Sequence, residues 1–261
     1  MSNISKNQID KFGRRIRTGE TLEGDHQLLR ELNVIWLSAA WEAAKTIQEN
    51  VSVEYSDISV RAKNLGTIEA KLHRQVTLQL SYMRDLAGCR LVVAHGRKDQ
   101  ECAASEIMET FVACSPKYIN RIADPRVGYR AIHLAVNLGI TRVEIQIRTK
   151  LQHAWAEAME RLGDLAGRDV RYIEGFQFAH LLEPARFIAF RLRNSLLYLS
   201  EIIDEYELVV MRIADSFQRS EMDQSVLMLA RVRMRLALKR EIVALSESHK
   251  REFDRLMEVL R

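Results

Sequence analysis

The spacing of apolar residues changes twice along this chain. Up to about residue 50, apolar side chains recur every three or four positions, a spacing that predicts helix. They are Leu28, Leu29, Leu32, Ile35, Trp36, Ala39, Ala40 and Ala43. A second helix is predicted over about residues 66–80, where Ile68, Leu72 and Val76 share a face.

The middle of the chain favours strands. The run Leu91-Val92-Val93 is short, apolar and β-branched, and it predicts a strand that is followed by a helix over about residues 99–113. Two more strands are predicted over about residues 129–137 and 141–148, with Gly139 marking the turn between them. We expect these two to form an antiparallel pair beside the first strand.

The pattern becomes helical again after the strands. A helix is expected to begin near Thr149, which can act as its N-cap, and everything from about residue 175 onward has helical periodicity. Residues 223–261 are amphipathic without proline or glycine, and fit a packed bundle, an oligomer interface or a partner-binding helix. The predicted class is α+β: a small mixed or antiparallel sheet flanked by helices, with N-terminal helices and a helical C-terminal extension.

The composition of the chain limits the core it can form, the ligands it suits and the compartment we expect for it. Of the 261 residues, 47% are apolar, which is enough to bury a core, and the net charge of +4 suits phosphate or nucleic-acid binding without requiring it. Cys89, Cys102 and Cys114 match neither a zinc site nor a C-x-x-C motif and favour a reducing compartment. No apolar run predicts a membrane span or a signal peptide, so we expect a cytoplasmic protein with no membrane partner.

The clearest strand pattern covers residues 142–148. Its apolar side chains alternate with Arg142, Glu144, Gln146 and Arg148, so these four share the opposite face. On this pattern alone, an ordinary half-solvated strand is the common explanation. On the preceding predicted strand, Tyr129, Ala131, His133 and Ala135 also share a face. Two adjacent strands that line one cleft with such side chains predict a functional site.

Basic residues cluster in residues 61–74. Arg61 and Lys63 precede the second helix, and Lys71 and Arg74 share one of its faces. The pair Gly66-Thr67 falls at the predicted helix start, where backbone N–H groups favour anions. The segment fits a polyphosphate site, and taken alone it equally fits a solvated basic surface.

Asp85 lies just before the first predicted strand. A carboxylate there, together with Glu144, can hold Mg²⁺, which favours one or two carboxylates plus substrate phosphates. The simpler interpretation of Asp85 is a turn residue.

Together these segments resemble the synthetase domain of the RelA/SpoT family, whose members transfer pyrophosphate from ATP to the 3′-hydroxyl of GDP or GTP. The matching blocks, in the family's order, are Arg61 to Arg74; Asp85-Leu86-Ala87-Gly88-Cys89-Arg90; Gly128-Tyr129-Arg130-Ala131-Ile132-His133; Glu144-Ile145-Gln146-Ile147-Arg148-Thr149; and His153-Ala154-Trp155-Ala156-Glu157. The resemblance covers about residues 50–165 and implies a nucleotidyltransferase-like fold.

The resemblance also implies roles for individual residues. Five basic residues would bind the phosphates of ATP and help frame its adenine: Arg61, Lys63, Lys71, Arg74 and Arg90. Asp85 and Glu144 would hold Mg²⁺, and Glu144 would help to deprotonate the attacking hydroxyl. Tyr129 would stack on the acceptor base, with His133, Gln146 and Arg148 around the acceptor's phosphates and ribose.

Two segments depart from the family pattern. After Trp155, the side chains of Glu157, Glu160, Arg161 and Asp164 share a helix face that is either solvated or part of the site. Residues 118–126 match the lysine-rich family version only loosely, so Arg121 or Arg126 is expected to replace its acceptor-phosphate contact.

This variant pattern is similar to the small single-domain branch, which includes toxins neutralised by an antitoxin protein. Some of those toxins pyrophosphorylate the 3′ end of tRNA, and others make adenosine alarmones. A basic stretch over residues 231–240 would suit RNA, and a solvated helix explains it as well. A catalytically inactive regulator is a third alternative, which the presence of both Asp85 and Glu144 disfavours.

The expected organisation is a helical segment over residues 1–50 that packs on the core, a synthetase domain over 51–168 and a helical extension over 169–261. Nothing resembles the family's metal-dependent hydrolase domain. The C-terminal helices are candidates for a homo-oligomer interface.

Overall fold

The computed structural model describes residues 4–20, 22–171 and 185–217. The helices are α1 (Lys6–Thr18), α2 (Asp25–Asn50), α3 (Leu65–Arg74), α4 (Arg97–Thr110), α5 (Lys150–Ala166) and α6 (Ala185–Phe217). The strands are β1 (Tyr55–Ala62), β2 (Ala87–Val93), β3 (Lys117–Asn120), β4 (Ile132–Leu138) and β5 (Thr141–Thr149). Short 3₁₀ turns cover Leu80–Tyr82, Val112–Cys114 and Arg168–Arg171. Within these described ranges, no helix is both long and apolar enough to cross a membrane.

The five strands form one mixed sheet in the order β1-β2-β5-β4-β3. Strands β2 and β5 are parallel, and every other neighbouring pair is antiparallel. The antiparallel β4–β5 pair beside β2 is the arrangement that the hydrophobic pattern predicted. The α+β class with a small mixed sheet is therefore confirmed.

The chain forms two compact units. The first comprises the chain up to Asp124 together with Ala131–Lys150, and it contains the whole sheet. The second comprises Pro125–Arg130 and the described residues from Leu151 onward.

Helices α2 and α4 pack on the sheet of the first unit. The apolar side chains of β5 that alternate with its polar ones, Val143, Ile145 and Ile147, are fully buried, as the alternation predicted. Cys89 on β2 is also buried, and burial is the main cause that raises the pKa of its thiol to about 12. One sheet face is therefore the core face, and the polar residues lie on the other.

Some predicted boundaries differ from the structure. The second predicted helix ends at Arg74 rather than near residue 80, because Gln75 takes a non-helical conformation and Leu80–Tyr82 forms a separate turn. Strand β4 begins at Ile132 rather than near Tyr129, because residues 126–129 form a tight turn.

Two strands were missed from the sequence. Strand β1 alternates Ile58 and Val60 with polar residues, a signal that the basic segment beside it obscured. Strand β3 has only four residues, too short for a clear period. The predictions for residues 223–261, including the basic stretch over 231–240, lie outside the described residues.

Candidate active site

The polar face of the sheet carries two rows of neighbouring side chains. The pairing register places Arg61, Gly88, Glu144, Ala135 and Lys117 side by side across all five strands. The next row, two residues along each strand, consists of Ser59, Arg90, Gln146, His133 and Ile119. In the first row, the small residues Gly88 and Ala135 lie on either side of Glu144.

Gly88 lies on β2 between Arg61 of β1 and Glu144 of β5. A Cβ atom at Gly88 would lie 3.4 Å from Cγ and 3.5 Å from Nε of Arg61, so the Arg61 side chain runs across the glycine. Glu144 is the register partner of Gly88 on the other side. The absence of a side chain at Gly88 therefore brings a guanidinium and a carboxylate to the same part of the face.

Asp85 forms ion pairs with two lysines. Its Oδ2 lies 2.7 Å from Nζ of Lys63, and its Oδ1 lies 2.7 Å from Nζ of Lys71. Burial acts to raise the pKa of Asp85, but the two ammonium groups outweigh it and lower that pKa to about 2. The carboxylate is thus ionised at neutral pH.

Backbone contacts hold the two lysines in place. Lys63 directly follows β1, and its backbone N–H donates to the Leu86 carbonyl at 2.9 Å. Asn64 caps α3 by accepting from the Thr67 N–H at 2.9 Å, so Gly66 and Thr67 lie in the first turn of the helix, as predicted. Arg17 of α1 donates to the Leu72 carbonyl at 3.1 Å and anchors the end of α3 that carries Lys71.

Glu144 belongs to a chain of side-chain hydrogen bonds on the same face. Its Oε1 lies 3.0 Å from Nδ1 of His133, and its Oε2 accepts from Nε2 of Gln146 at 2.9 Å. Arg148 donates in turn to Oε1 of Gln146 at 3.0 Å. Burial acts to raise the pKa of Glu144, and the hydrogen bond and charge of His133 outweigh it, so that pKa lies below its usual range.

Asp85 and Glu144 interact electrostatically, because the negative charge of Asp85 acts to raise the pKa of Glu144. Both carboxylates remain ionised nevertheless. No cluster of three or more histidine, cysteine, aspartate or glutamate side chains suited to a metal occurs in the described residues. The two carboxylates match the oxygen ligands that Mg²⁺ prefers, since the ion takes few protein ligands and completes its shell with water and phosphate oxygens. In this structure both Asp85 oxygens pair with lysines, so Asp85 could hold the ion only after those pairs open.

The remaining predicted binding residues are more dispersed. Arg90 is the register partner of Gln146 and lies on the polar face. Arg74 lines a cavity of about 520 Å³ formed with residues 75–79 and Tyr82. Arg121 follows β3 and pairs with Asp124 at 2.6 Å. The structure thus places Arg90 on the same sheet face as Glu144 and Gln146. Arg74 lines the separate cavity, and Arg121 pairs with Asp124.

Tyr129 belongs to the second unit. It follows a tight turn in which its N–H donates to the Arg126 carbonyl at 3.0 Å, and it packs against the apolar cluster around Trp155. In α5 of the same unit, Glu157 lies 3.4 Å from Nε2 of His153, and Asp164 is exposed. Glu160 is half-buried on that helix.

Sequence reasoning missed two members of the first row. Lys117 was not singled out because β3 was not recognised, although its place before Tyr118-Ile119-Asn120 offered a weak signal. Gly88 was quoted only as part of a motif, since a glycine's use as open floor depends on which strands pair beside it.

Comparisons with known proteins found similar sequences and folds. Residues 60–162 match the family described as the region found in RelA / SpoT proteins. An uncharacterized protein of Mycobacterium tuberculosis strain H37Rv is 37% identical over 172 residues, as is one of Mycobacterium bovis. That match covers 65% of this chain, and the chain spans 63% of the length of those relatives.

Two solved structures share the fold. The small alarmone synthetase 1 from Bacillus subtilis has a TM-score of 0.54 and 19% identity, covering 74% of this chain and 98% of that chain. The same synthetase bound to its product pppGpp has a TM-score of 0.53 and 20% identity, with the same coverage of both chains. The resemblance drawn from the sequence motifs is confirmed.

Proposed function

We propose that this chain, which carries a RelA/SpoT region over residues 60–162, is a pyrophosphokinase that transfers the β,γ-pyrophosphate of ATP to the 3′-hydroxyl of GDP or GTP. One observation carries the proposal. An aspartate held by two lysines and a glutamate held in a hydrogen-bond chain act on each other electrostatically within one unit. Phosphoryl-type transfer needs positioned charge near the phosphates and a base near the hydroxyl, and little covalent help from protein.

The part of the site that we propose to bind ATP, the pyrophosphate donor, is basic. Lys63 lies just before α3 and Lys71 lies on it, and both carry ammonium groups. The Arg61 side chain extends over Gly88 in the same unit. In the proposed complex these cations contact the triphosphate of ATP, and Arg90 and Arg74 complete the contacts to phosphate and adenine. The ion pairs with Asp85 hold the two ammonium groups next to each other before ATP arrives.

Asp85 and Glu144 are the proposed ligands of Mg²⁺. When bound, the ion neutralises charge that develops on the phosphate oxygens. In the proposed complex, Lys63 and Lys71 move from Asp85 to the triphosphate of ATP. This movement frees the Asp85 oxygens for the ion.

Glu144 is also the proposed proton acceptor. The acceptor's 3′-oxygen forms a bond to the β-phosphorus of ATP, the bond from that phosphorus to the oxygen bridging to the α-phosphorus breaks, and AMP leaves. The hydroxyl proton passes to a Glu144 carboxylate oxygen. His133 and Gln146 orient the carboxylate and keep it ionised, so it can accept the proton near neutral pH.

The choice of a guanine acceptor rests on the family region and on a structural relative whose product is pppGpp. In the proposed complex Tyr129 stacks on the base, Arg148 and Gln146 lie near its ribose and phosphates, and Arg121 contacts the phosphates. A tRNA 3′ end or an adenine nucleotide uses the same donor chemistry, so the acceptor is decided by experiment. We propose residues 51–168 as the catalytic domain.

The test is incubation of the protein with γ-labelled ATP, Mg²⁺ and one of four acceptors: GDP, GTP, ATP or bulk tRNA. Label on GDP or GTP, with AMP as the second product, is the expected result. Label on tRNA or on ATP alone would replace the acceptor and keep the chemistry. No labelled acceptor and no AMP would contradict pyrophosphate transfer altogether.

A further inference from the structure

We infer that α6 positions the acceptor loop: Ser200 and Glu201, acting through the Gly128 carbonyl and Arg130, hold the turn Arg126–Tyr129 in the shape that presents Tyr129. This rests on the proposed function, since Tyr129 is taken as the residue that stacks on the acceptor base. It extends that function to a helix outside the matched residues 60–162. All the residues concerned belong to the second unit.

The turn itself has an unfavourable backbone. Val127 and Gly128 occupy consecutive positions with φ of 49° and 76°, the pattern of a type I′ turn closed by the hydrogen bond from Tyr129 to the Arg126 carbonyl. Glycine adopts a positive φ readily, but valine is β-branched and rarely does. Such a conformation persists only where surrounding contacts over-determine it.

Polar contacts from α6 supply that constraint. The Ser200 hydroxyl donates to the Gly128 carbonyl and accepts from Nε of Arg130 at 3.2 Å. The guanidinium of Arg130 also lies 2.8 Å from Glu201 and 3.6 Å from Asp204. Arg130 is buried, whereas Glu201 is exposed and Asp204 is partly buried, so solvent screens the pair with Glu201 more than the pair with Asp204. One residue on each side of Tyr129 is therefore tied to the same turn of α6.

Apolar contacts close the back of the turn. A Cβ atom at Gly128 would lie 2.9 Å from Cζ2 of Trp155 and 3.1 Å from a methyl carbon of Leu197, so the helices α5 and α6 pack directly on the glycine backbone. The Trp155 indole N–H donates to the Leu196 carbonyl at 2.5 Å and fixes the ring relative to α6. The turn has no room to shift toward the helices.

Tyr129 is half-buried against the Trp155 cluster and Arg126 is exposed, so both side chains keep surface that a ligand can contact. Arg126 and Tyr129 are paired as antiparallel bridge partners, so their side chains are neighbours on one side of the turn. A guanidinium beside an aromatic ring suits a nucleotide, with the ring for its base and the cation for its phosphates.

The α6 contacts are expected to affect binding of the acceptor and not binding of ATP. The ATP-binding residues Lys63 and Lys71 belong to the first unit and make no use of α6 for their contacts with Asp85. Loosening the α6 contacts is therefore expected to raise the KM for the acceptor and to leave the KM for ATP unchanged. A merely structural role for Ser200 and Glu201 would lower the active fraction and affect both substrates alike.

The test uses the full chain with four variants: Ser200→Ala, Glu201→Ala, Glu201→Gln and Glu205→Ala. Glu205 is an exposed glutamate one turn further along α6, so Glu205→Ala is the matched control for the loss of charge. Ser200→Ala and Glu201→Ala are expected to raise the acceptor KM by about five- to tenfold, the effect of losing about one hydrogen bond. Glu201→Gln keeps an oxygen acceptor for Arg130 and should restore part of the loss.

Two outcomes would overturn the inference: an unchanged acceptor KM in both alanine variants, or equal changes in the KM for ATP and for the acceptor. Limited trypsin cleavage after Arg126, followed by mass spectrometry, gives a readout that does not need activity. Faster cleavage in Ser200→Ala than in Glu205→Ala supports the inference, and equal rates contradict it. If the wild-type chain labels no acceptor, the proposed function fails, and the cleavage rates still decide whether α6 holds the turn.

Discussion

Glu144 lies directly beside Gly88 in the parallel pairing of β5 with β2, and the Arg61 side chain crosses the glycine from the other side. We predict that Gly88→Leu abolishes ATP binding, because the added side chain would displace Arg61 and fill the floor of the site. Binding of ATP is measured by isothermal titration calorimetry, and folding by circular dichroism.

Gly88→Ala is the matched control. Its Cβ would lie 3.4 Å from the nearest Arg61 atom, an ordinary contact, so it should retain most of the affinity for ATP. Unchanged ATP affinity in Gly88→Leu would show that the space above Gly88 is not used by the nucleotide.

Asp85 is expected to stabilise the fold in a pH-dependent way. Its pKa is lowered to about 2 in the folded chain, so its contribution is present above the ordinary value near 3.8 and is lost as pH falls from there toward 2. Asp85→Asn should lower the free energy of unfolding by about 2 kcal/mol at neutral pH and reduce its loss below pH 4. Urea denaturation at pH 6, 4 and 3 measures both effects.

The control for Asp85 is Asp124→Asn. Asp124 is largely exposed and its ion pair with Arg121 is screened by solvent, so this variant should follow the wild-type pH dependence. Parallel curves for Asp85→Asn and wild type would mean that the lysine pairs do not stabilise the folded chain.

Glu144→Gln tests the proposed proton acceptor. The amide keeps the shape of the side chain and an oxygen for the Gln146 hydrogen bond, but it cannot accept a proton or hold Mg²⁺ as an anion. We expect transfer to fall by at least about a hundredfold, the usual contribution of a general base, with the melting temperature little changed. Full activity in Glu144→Gln would eliminate this mechanism.

His133 is expected to set the acidic limb of the pH–rate profile. Its hydrogen bond and charge lower the pKa of Glu144, so in His133→Ala that pKa should rise and the acidic limb of kcat should move to higher pH. His95→Ala removes an exposed histidine paired with Glu54 and serves as the control. If the acidic limb lies at the same pH in both variants, His133 does not control the ionisation of Glu144.

Val127→Asn is predicted to stabilise the chain by about 1 kcal/mol, because asparagine tolerates positive φ far better than a β-branched residue does. Thermal unfolding measures the change. If the contacts from α6 already fix the turn, the variant should also keep the wild-type KM for the acceptor. A lower melting temperature would mean that Val127 contributes more through its side chain than it costs through its backbone.

Much of the region that we propose to bind ATP was predictable from the sequence. The alternation around Glu144 identified the polar face of β5, and Gly66 and Thr67 lie in the first turn of α3, where the helix start was predicted. Such features are local: they depend on a period of two or on a hydrogen bond that spans three residues.

The acceptor half was less predictable. The sequence placed Tyr129 on a strand together with His133, but Tyr129 follows a turn whose shape depends on Ser200, about seventy residues away. No local period reports such a contact, and the positive φ of Val127 runs against its intrinsic preference.

The sequence by itself determined the α+β class, the resemblance to the RelA/SpoT region and the residues that we propose to bind phosphate. Only the tertiary structure decided that Arg61 and Glu144 flank Gly88, that Lys63 and Lys71 converge on one carboxylate, and that α6 is tied to the turn before Tyr129. The physical reason is the range of the interactions involved. Periodicity and capping act within one element, whereas strand order, paired charges and the packing on Gly128 join residues that are distant along the chain.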